Sequence, residues 1–300
     1  MWYNCGMSKR PNTFDEVIGQ TAIKAQLAIS IKAARMQNKP MPHTLISGPG
    51  GLGKTTIANC AANLMGTPYV GCNATTLKDA DTLIDTILNI PRNGILFLDE
   101  AHNLDRITQE TLYTVLEDFT LVDKSLYGLV IQPFTLIAAT THAGKLRESF
   151  LTRFKIRCQV EYYSPEELAD VVKRQFGFAH TPALLIGQVS RGIPRVAISY
   201  AEWIKDWCLV KGVQVWDEYI PIALEAIGVD SRGLTPQDRQ YLEVLSRNFR
   251  GGPAGLAAIA ASMNTAIETL EGEIEPFLLR QGYIIRTPRG RKINQYAPRS

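Results

Sequence analysis

One segment, residues 43–56, constrains the fold of this chain more than any other. A short apolar run leads into the glycine-rich loop Gly48-Pro49-Gly50-Gly51-Leu52-Gly53-Lys54-Thr55, and a helix-forming stretch follows from Ile57. The loop fits the pattern G-x-x-x-x-G-K-[S/T] and stands between a predicted strand and a predicted helix, which is the context that gives the pattern its meaning. The segment therefore predicts an α/β fold with a strand, a phosphate-binding loop and a helix in succession.

The residue types in this loop suit the phosphates of a nucleotide. Glycines allow successive backbone N–H groups to turn inward, and the helix N-terminus adds its positive end. Lys54 is expected to reach the outer phosphates, and the Thr55 hydroxyl is expected to take one position on Mg²⁺. The sequence thus predicts ATP and Mg²⁺ as ligands, and the loop supplies the nucleotide-binding residues Gly48, Gly51, Gly53, Lys54, Thr55 and Thr56.

A second motif supplies the carboxylates that hydrolysis needs. Leu96-Phe97-Leu98-Asp99-Glu100 is an apolar run that ends in two acids. We expect Asp99, with Thr55, to hold the metal, and Glu100 to polarise the attacking water. Alone, an Asp-Glu pair after an apolar run would more often mark the start of a helix. Beside the phosphate loop it indicates an ATP hydrolase whose catalytic residues include Lys54, Asp99 and Glu100.

The rest of the chain divides into a sheet-forming part and a helical part. The runs at 95–98 and 134–139 are rich in β-forming residues, and helical patterns separate them, which indicates a parallel sheet buried on both faces. The strand signal ends after Val160. Residues 164–167 form a capping box with proline at the first helical position, and glycine-broken helices are predicted up to residue 227.

A polar hinge is predicted at 228–233, and a third domain follows it. Its pattern is a capped helix from Thr235, a Gly251-Gly252-Pro253 turn, two more helices and a strand-like run at 282–286. Three helices and a basic hairpin suggest a winged helix-turn-helix. The expected domains are residues 1–158 for the α/β domain, 159–228 for the small helical domain and 229–300 for the winged-helix domain.

Composition places the chain among globular proteins, with 45% hydrophobic and 20% charged residues in a length of 300. No apolar run approaches the ~18 residues of a membrane helix, and the N-terminus lacks the apolar core of a signal peptide, so we expect a cytoplasmic protein. The five cysteines stand singly, which argues against structural zinc and a disulfide framework. A net charge of +3 does not decide nucleic-acid binding, but basic residues without acids fill the end of the chain from Arg280.

The motifs resemble a known superfamily. The Asp-Glu pair followed by Ala101-His102, with Ala139-Thr140-Thr141 further on, is similar to the AAA+ ATPases. Longer segments narrow the resemblance to the RuvB family of Holliday-junction branch-migration motors; these are residues 10–20, 133–141, 191–197, 249–256 and 275–291. The similarity runs from about residue 9 to residue 292. It implies an AAA+ P-loop domain, a helical lid and a C-terminal winged helix.

The resemblance also implies further site residues by position. Thr140 or Thr141 corresponds to the polar sensor between the two carboxylates and the terminal phosphate. Arg153 corresponds to an arginine finger that reaches a neighbouring subunit's ATP, and Arg195 to the lid arginine that senses the same phosphate. An ordinary surface arginine is the alternative for both. The remaining nucleotide-binding residues are Arg10, Ile18 and Tyr163, although Tyr163 could equally belong to the core.

The resemblance to this family implies a hexameric ring that hydrolyses ATP, translocates duplex DNA and drives branch migration of four-way junctions. Arg286, Arg289 and Arg291 stand on a predicted hairpin tip where Pro288 and Gly290 force a tight turn. We expect these arginines to point outward and bind DNA phosphates without regard to sequence. A solubilising basic tail is the alternative.

Two departures from the family pattern bear on partners and source. Residues 120–132 are shorter than the hairpin through which RuvB meets RuvA, which leaves a RuvA-like junction-binding partner open. The finger segment keeps Arg153 but has Leu151 where the family usually shows a second arginine. Such drift would suit a phage or mobile-element member of the family.

Three other functions remain open from the sequence. A clamp-loader-like or helicase-loading ATPase would share the phosphate loop, finger and lid without needing the basic wing. A switch that regulates a recombinase or transposase would keep the wing and use hydrolysis as a timer. A protein remodeller would lack DNA dependence. ATPase rates measured with and without a four-way junction would separate these functions.

Overall fold

The computed structural model describes residues 10–77, 79–121 and 128–295. The chain forms two compact units. Unit 1 contains the chain up to Glu167 together with Ile193–Arg195, and unit 2 contains Leu168–Gly192 and the chain from Val196 onward. Within the described ranges, no helix is long and apolar enough to span a membrane.

Unit 1 is built on a parallel sheet. Its strands are β1 (Thr44–Ser47), β2 (Tyr69–Asn73), β3 (Ile95–Asp99), β4 (Thr120–Leu121), β5 (Leu129–Val130), β6 (Thr135–Thr140) and β7 (Ile156–Gln159). Five of them form one sheet in the order β2-β3-β6-β1-β7, with every neighbouring pair parallel. The inner strand β6 is buried at every position, as expected where both faces of a parallel sheet are covered.

Helices connect these strands. They are α1 (Thr21–Gln37), α2 (Lys54–Met65), α3 (Ala80–Leu88), α4 (Arg106–Asp118) and α5 (Glu148–Leu151), with short 3₁₀ turns at Phe14–Glu16, Ala74–Thr76, Ala101–Asn103 and Ala143–Lys145. The apolar faces of α3 and α4 pack with β3 and β6 in one buried cluster that includes Ile87, Val115 and Leu136. This packing fixes the carboxyl ends of the strands, where the phosphate loop and the two acids lie.

A partly buried histidine, His43, lies at the amino ends of the strands. The backbone N–H of Leu136 donates to His43 Nδ1 at 3.0 Å, and the His43 ring lies 6.1 Å from both Phe119 and Phe134. Burial lowers the pKa of His43 to about 4, so the ring is neutral at pH 7. Phe119 ends α4 and leads into an antiparallel hairpin of β4 and β5, whose tip lies outside the described residues.

Beyond Ser164 the chain is largely helical. The helices are α6 (Pro165–Phe176), α7 (His180–Val189), α8 (Pro194–Lys211), α9 (Tyr219–Glu225), α10 (Pro236–Arg247), α11 (Leu256–Met263), α12 (Ile267–Thr269) and α13 (Glu275–Arg280). The predicted capping box of α6 forms, because Ser164 and Glu167 bond reciprocally at its start. The helix predicted to be capped at Thr235 also begins with a capping box, formed by Thr235 and Asp238 at α10.

The end of unit 2 has the predicted winged-helix pattern. Helices α10, α11 and α13 pack around a shared core that includes Tyr241, Ile259 and Leu278. A π-helical turn at Leu270–Ile274 joins α12 to α13, and the strands β8 (Ile284–Thr287) and β9 (Gly290–Ile293) pair antiparallel as the wing.

Candidate nucleotide and DNA sites

The phosphate loop requires glycine at positions where its backbone turns inward. Gly48, Gly51 and Gly53 have φ values of 134°, 78° and 94°, a region that other residues rarely adopt. A Cβ at Gly48 would lie 2.6 Å from Val160 Cγ2, and one at Gly51 would lie 2.8 Å from Ile193 Cγ2. The loop is therefore packed between Val160, which follows β7, and Ile193, which precedes α8.

Lys54 is held inside this loop. Its side chain is 6% exposed, and Nζ donates to the carbonyl oxygens of Gly48 at 2.8 Å and Pro49 at 3.0 Å. Burial lowers the pKa of Lys54, while the charges of Glu100 and Asp99 oppose that change. The ammonium group thus lies at the mouth of the loop as a donor for phosphate oxygens.

Thr55, at the amino end of α2, lies close to Asp99, at the carboxyl end of β3. Thr55 Oγ1 lies 3.4 Å from Asp99 Oδ2, and Asp99 Oδ1 accepts the backbone N–H of Glu100 at 3.0 Å. Both offer the hard oxygen ligands that Mg²⁺ prefers. In the described part of the chain, no group of three or more His, Cys, Asp or Glu could hold a metal. This donor set fits an ion that takes its other ligands from nucleotide phosphates and water.

Glu100 is turned toward the end of β6. It has a left-handed backbone at φ 50°, and its Oε2 accepts from the Thr141 backbone N–H at 3.2 Å and from Thr141 Oγ1 at 3.0 Å. Thr140 is fully buried, and its hydroxyl instead accepts the His142 backbone N–H at 3.0 Å. Of the two threonines proposed as the sensor, Thr141 is therefore the one in contact with the carboxylate.

Sequence reasoning missed His102 as a site residue. Its Nδ1 lies 3.2 Å from Glu100 Oε2 and 3.0 Å from Thr140 Oγ1, and its side chain is only 10% exposed. A proton on Nδ1 would let His102 donate to Glu100, because an ionised carboxylate only accepts hydrogen bonds. Burial lowers the pKa of His102, although the charge of Glu100 opposes the change. The Asp-Glu-Ala-His spacing in the sequence was the available signal.

The residues proposed around the base and sugar are only partly brought together. Tyr163 is 8% exposed, its hydroxyl donates to the Leu52 carbonyl at 3.5 Å, and its ring would lie 3.2 Å from a Cβ at Gly19. Ile18, next to Gly19, is partly buried. Arg10 is exposed, and its charge acts on Tyr69 in β2, where it opposes the rise in pKa that burial causes. Tyr163 thus contacts the phosphate loop, whereas Arg10 lies closer to β2.

Arg195 lies against the phosphate loop. Its backbone N–H donates to the Gly51 carbonyl at 3.4 Å, and its side chain is exposed. Its charge also contributes to lowering the pKa of Lys54. Two cations therefore face the same space, which suits the polyphosphate of a nucleotide.

Arg153 lies at the other end of the sheet. It comes three residues before β7, whose first residue Ile156 pairs with Thr44, whereas the phosphate loop follows the last residue of β1. The length of β1 alone separates the two by about 13 Å. Arg153 also lines a surface cavity of about 560 Å³ with Lys39 and Lys155. Arg153 therefore lies away from the phosphate loop of the same chain.

The wing arginines do not all point outward as expected. Arg291 is 17% exposed, and its Nε donates to Glu275 Oε1 at 2.8 Å. Arg286, which is 53% exposed, donates to Glu275 Oε2 at 2.8 Å, and the Tyr241 hydroxyl donates to the same fully buried carboxylate at 2.8 Å. Arg289 is exposed at the turn between the strands. The expected outward presentation is therefore wrong for Arg291, because Glu275 draws its guanidinium inward.

The Glu275 carboxylate is kept ionised by its partners. Burial alone would raise the pKa of Glu275, but the hydrogen bonds from Arg291, Tyr241 and Arg286 outweigh it, and the pKa is lowered. The backbone of the wing is also attached, since Ala254 and Arg291 exchange two backbone hydrogen bonds of 2.9 and 2.8 Å. A Cβ at Gly290 would lie 2.2 Å from the Ala254 oxygen. The wing is thus attached by its side chains to Glu275 at the start of α13 and by its backbone to Ala254, which precedes α11.

Comparisons with known proteins agree with this architecture. Residues 9–160 match the family model of the Holliday junction DNA helicase RuvB P-loop domain, and residues 231–299 match that of the RuvB C-terminal winged helix domain. The Holliday junction branch migration complex subunit RuvB of Rhodopirellula baltica is 40% identical over 295 residues, covering 94% of this chain and 81% of the relative. The same subunit from Kosmotoga olearia is 37% identical over 303 residues, covering 97% and 89%.

Solved structures extend the similarity to the fold. The Thermotoga maritima RuvB Holliday junction branch migration motor superposes with a TM-score of 0.87 at 34% identity, covering 95% of each chain. The Aeropyrum pernix ORC2 protein, at 13% identity and a TM-score of 0.59, shares the fold alone. Two domain matches and near-complete coverage by these relatives show that the chain belongs to the RuvB family.

Proposed function

We propose that this chain is an ATP-driven motor that translocates duplex DNA and drives branch migration of Holliday junctions. The observation that carries the proposal is the meeting of Lys54, Asp99, Glu100 and Thr141 at the carboxyl ends of three neighbouring strands in a member of the RuvB family. This arrangement provides a cation for the phosphates and a carboxylate for the attacking water. The basic wing supplies a contact for the DNA backbone.

Each site residue has a role in this proposal. The phosphate loop with Thr56 and Arg195 holds the nucleotide, Tyr163, Ile18 and Arg10 border its base and sugar, and Thr141 senses the terminal phosphate. Thr55 and Asp99 would hold Mg²⁺, which when bound neutralises charge on the phosphate oxygens. Arg153 completes the site of an adjacent copy.

The position of Arg153 supports assembly into a closed ring. In this proposal the Arg153 guanidinium, at the amino end of the sheet, acts on a nucleotide bound at the carboxyl end of the sheet of a second copy. Contacts of this head-to-tail kind close into rings when the rotation allows. We propose a hexamer around duplex DNA. We further propose that the β4–β5 hairpin is where a RuvA-like junction-binding protein would dock.

One experiment tests the motor activity directly. ATP turnover and branch migration are measured together on a mobile four-way junction, with a linear duplex of the same sequence and no DNA as comparisons. We expect DNA to stimulate turnover, and ATP to be required for strand exchange at the junction. The Glu100→Gln variant serves as the control that binds ATP without turnover. Turnover that no DNA stimulates would exclude the motor and favour a protein remodeller.

A second outcome would identify another function. Stimulation by any duplex without migration of the junction would favour an ATP-controlled DNA-binding switch. Both functions would use the wing to contact DNA, so the junction assay is what separates them.

A further inference from the structure

The arginine at the amino end of the sheet is held by two residues of α4. The guanidinium of Arg153 lies over the Tyr113 ring, with its central carbon 4.1 Å from the ring centroid, and it also donates to the Tyr113 hydroxyl. Its other contact is an ion pair of 3.0 Å with Glu117 Oε2. The Arg153 side chain is 23% exposed, so these contacts are partly shielded from solvent.

Helix α4 is a firm support for these contacts. Tyr113 and Glu117 are four residues apart and therefore lie on the same face of the helix. Other positions of α4, Leu112, Val115 and Leu116, are at most 5% exposed and belong to the core of unit 1. The helix start is fixed as well, since the Asp105 side chain accepts the Thr108 backbone N–H at 2.7 Å.

A long arginine side chain needs such support to act across a subunit boundary. A free arginine side chain carries about 2 kcal/mol of rotamer entropy, and a stacked, charge-paired guanidinium has already lost much of it. Catalytic groups are sensitive to placement, because an error of about 1 Å can cost about 10²-fold in rate. Contacts that orient Arg153 before two copies meet would therefore raise the turnover of the assembled sites.

We propose that Tyr113 and Glu117 are positioning residues for the arginine finger, which they hold in the orientation that reaches the ATP of an adjacent copy. The inference rests on the role given to Arg153 in the proposed function. If Tyr113 or Glu117 is replaced, the loss of turnover should therefore arise in the subunit that donates the finger. The opposite possibility, that α4 restrains the finger and withholds it from catalysis, predicts faster turnover when the contacts are removed.

The first test measures kcat and KM for ATP in the full chain. Tyr113→Ala should lower kcat by about 10-fold to 100-fold while KM for ATP stays unchanged, since misplacement of the finger leaves the phosphate loop intact. Tyr113→Phe, which keeps the ring face, and Glu117→Gln should each cause a smaller loss. The matched control is Glu110→Gln, because Glu110 lies on the same helix but pairs with Arg106 at 3.0 Å and Arg147 at 2.6 Å.

A mixing experiment locates the defect. A mixture of Tyr113→Ala with Lys54→Ala contains interfaces in which an intact phosphate loop faces an intact finger, so turnover should return. That recovery also shows that the Tyr113→Ala chain is folded. A mixture of Tyr113→Ala with Arg153→Ala has no intact finger on any subunit and should turn over no faster than Tyr113→Ala alone. Arg153→Ala with Lys54→Ala is the reference mixture that should recover.

The outcomes separate this inference from the proposed function. Recovery of Tyr113→Ala by Arg153→Ala would show that Tyr113 does not act through the finger. A rise in kcat, or a loss in Glu110→Gln equal to that in Glu117→Gln, would also overturn the positioning role. Failure of the reference mixture, in assemblies shown to contain both chains, would remove the finger assignment itself and this inference with it.

Discussion

Lys54 and Glu100 lie within one site but contribute to different steps, and substitution should separate them. Lys54→Ala removes the buried ammonium at the mouth of the loop, so we expect ATP binding to be lost. Glu100→Gln leaves the loop and Lys54 intact, so ATP binding should persist while turnover falls by about 10² or more, the lower end of what general-base catalysis contributes. Fluorescent-nucleotide binding and phosphate release measure the two effects. Near wild-type turnover by Glu100→Gln would remove its proposed role.

The motif spacing was enough to predict Lys54, Thr55, Asp99 and Glu100 as one site, because loop and strand ends in a parallel sheet meet at one edge. It could not choose between Thr140 and Thr141. Successive strand residues face opposite sides, so the choice depends on which face β6 turns toward Glu100. His102 was missed because its contact depends on the left-handed backbone of Glu100 and on the 3₁₀ turn that follows.

One buried acid, Glu275, reduces the number of wing arginines that are free to bind DNA. Glu275 lies eleven residues before Arg286 and sixteen before Arg291 in the sequence, so a reading of the hairpin alone does not include it. Exposed acids at Glu268, Glu271 and Glu273 precede it and would repel DNA phosphates. Of the three wing arginines, Arg289 at the turn and the half-exposed Arg286 remain accessible for the proposed phosphate contact.

Substitutions on the wing should accordingly separate DNA binding from folding. Arg289→Ala should weaken binding to any duplex and flatten the log–log salt dependence by about 0.9 for one lost phosphate contact, with no change in Tm. Arg291→Ala breaks a pair with a buried carboxylate and should destabilise the winged helix by up to about 3 kcal/mol. Salt titrations and thermal unfolding measure these effects. A wild-type salt slope in Arg289→Ala would contradict the wing-turn contact.

The elements themselves were predictable where burial was complete. The apolar runs predicted as strands correspond to β1, β3 and β6, which are the inner strands of the sheet. The capping boxes of α6 and α10 depend only on residues within one turn of the helix. Strand β2 (Tyr69–Asn73) was not singled out, since it lies at the sheet edge, is only partly buried and contains Gly71 and Asn73. The π-helical turn before α13 was read as ordinary helix, because nothing in residues 270–274 distinguishes the two locally.

In the proposed function each site is divided between two copies, and assembly should therefore govern activity. Arg153 and the phosphate loop lie at opposite ends of one sheet, so an isolated subunit cannot bring its own finger to its own ATP. Turnover per subunit should therefore rise with protein concentration over the range in which assemblies form. Arg153→Ala should bind ATP normally and assemble, yet remain slower by about 10³-fold or more at every concentration.

Sedimentation or mass photometry on the same samples relates turnover to the size of the assembly. The Glu100→Gln protein with ATP should give the largest assembled fraction, because it retains the nucleotide that bridges neighbouring copies. Constant turnover per subunit down to concentrations at which only monomers are present would contradict a shared site. In that case Arg153 would be a surface arginine held by Tyr113 and Glu117 for stability alone. The wild-type dilution series, run before any mixing of variants, decides between these two roles.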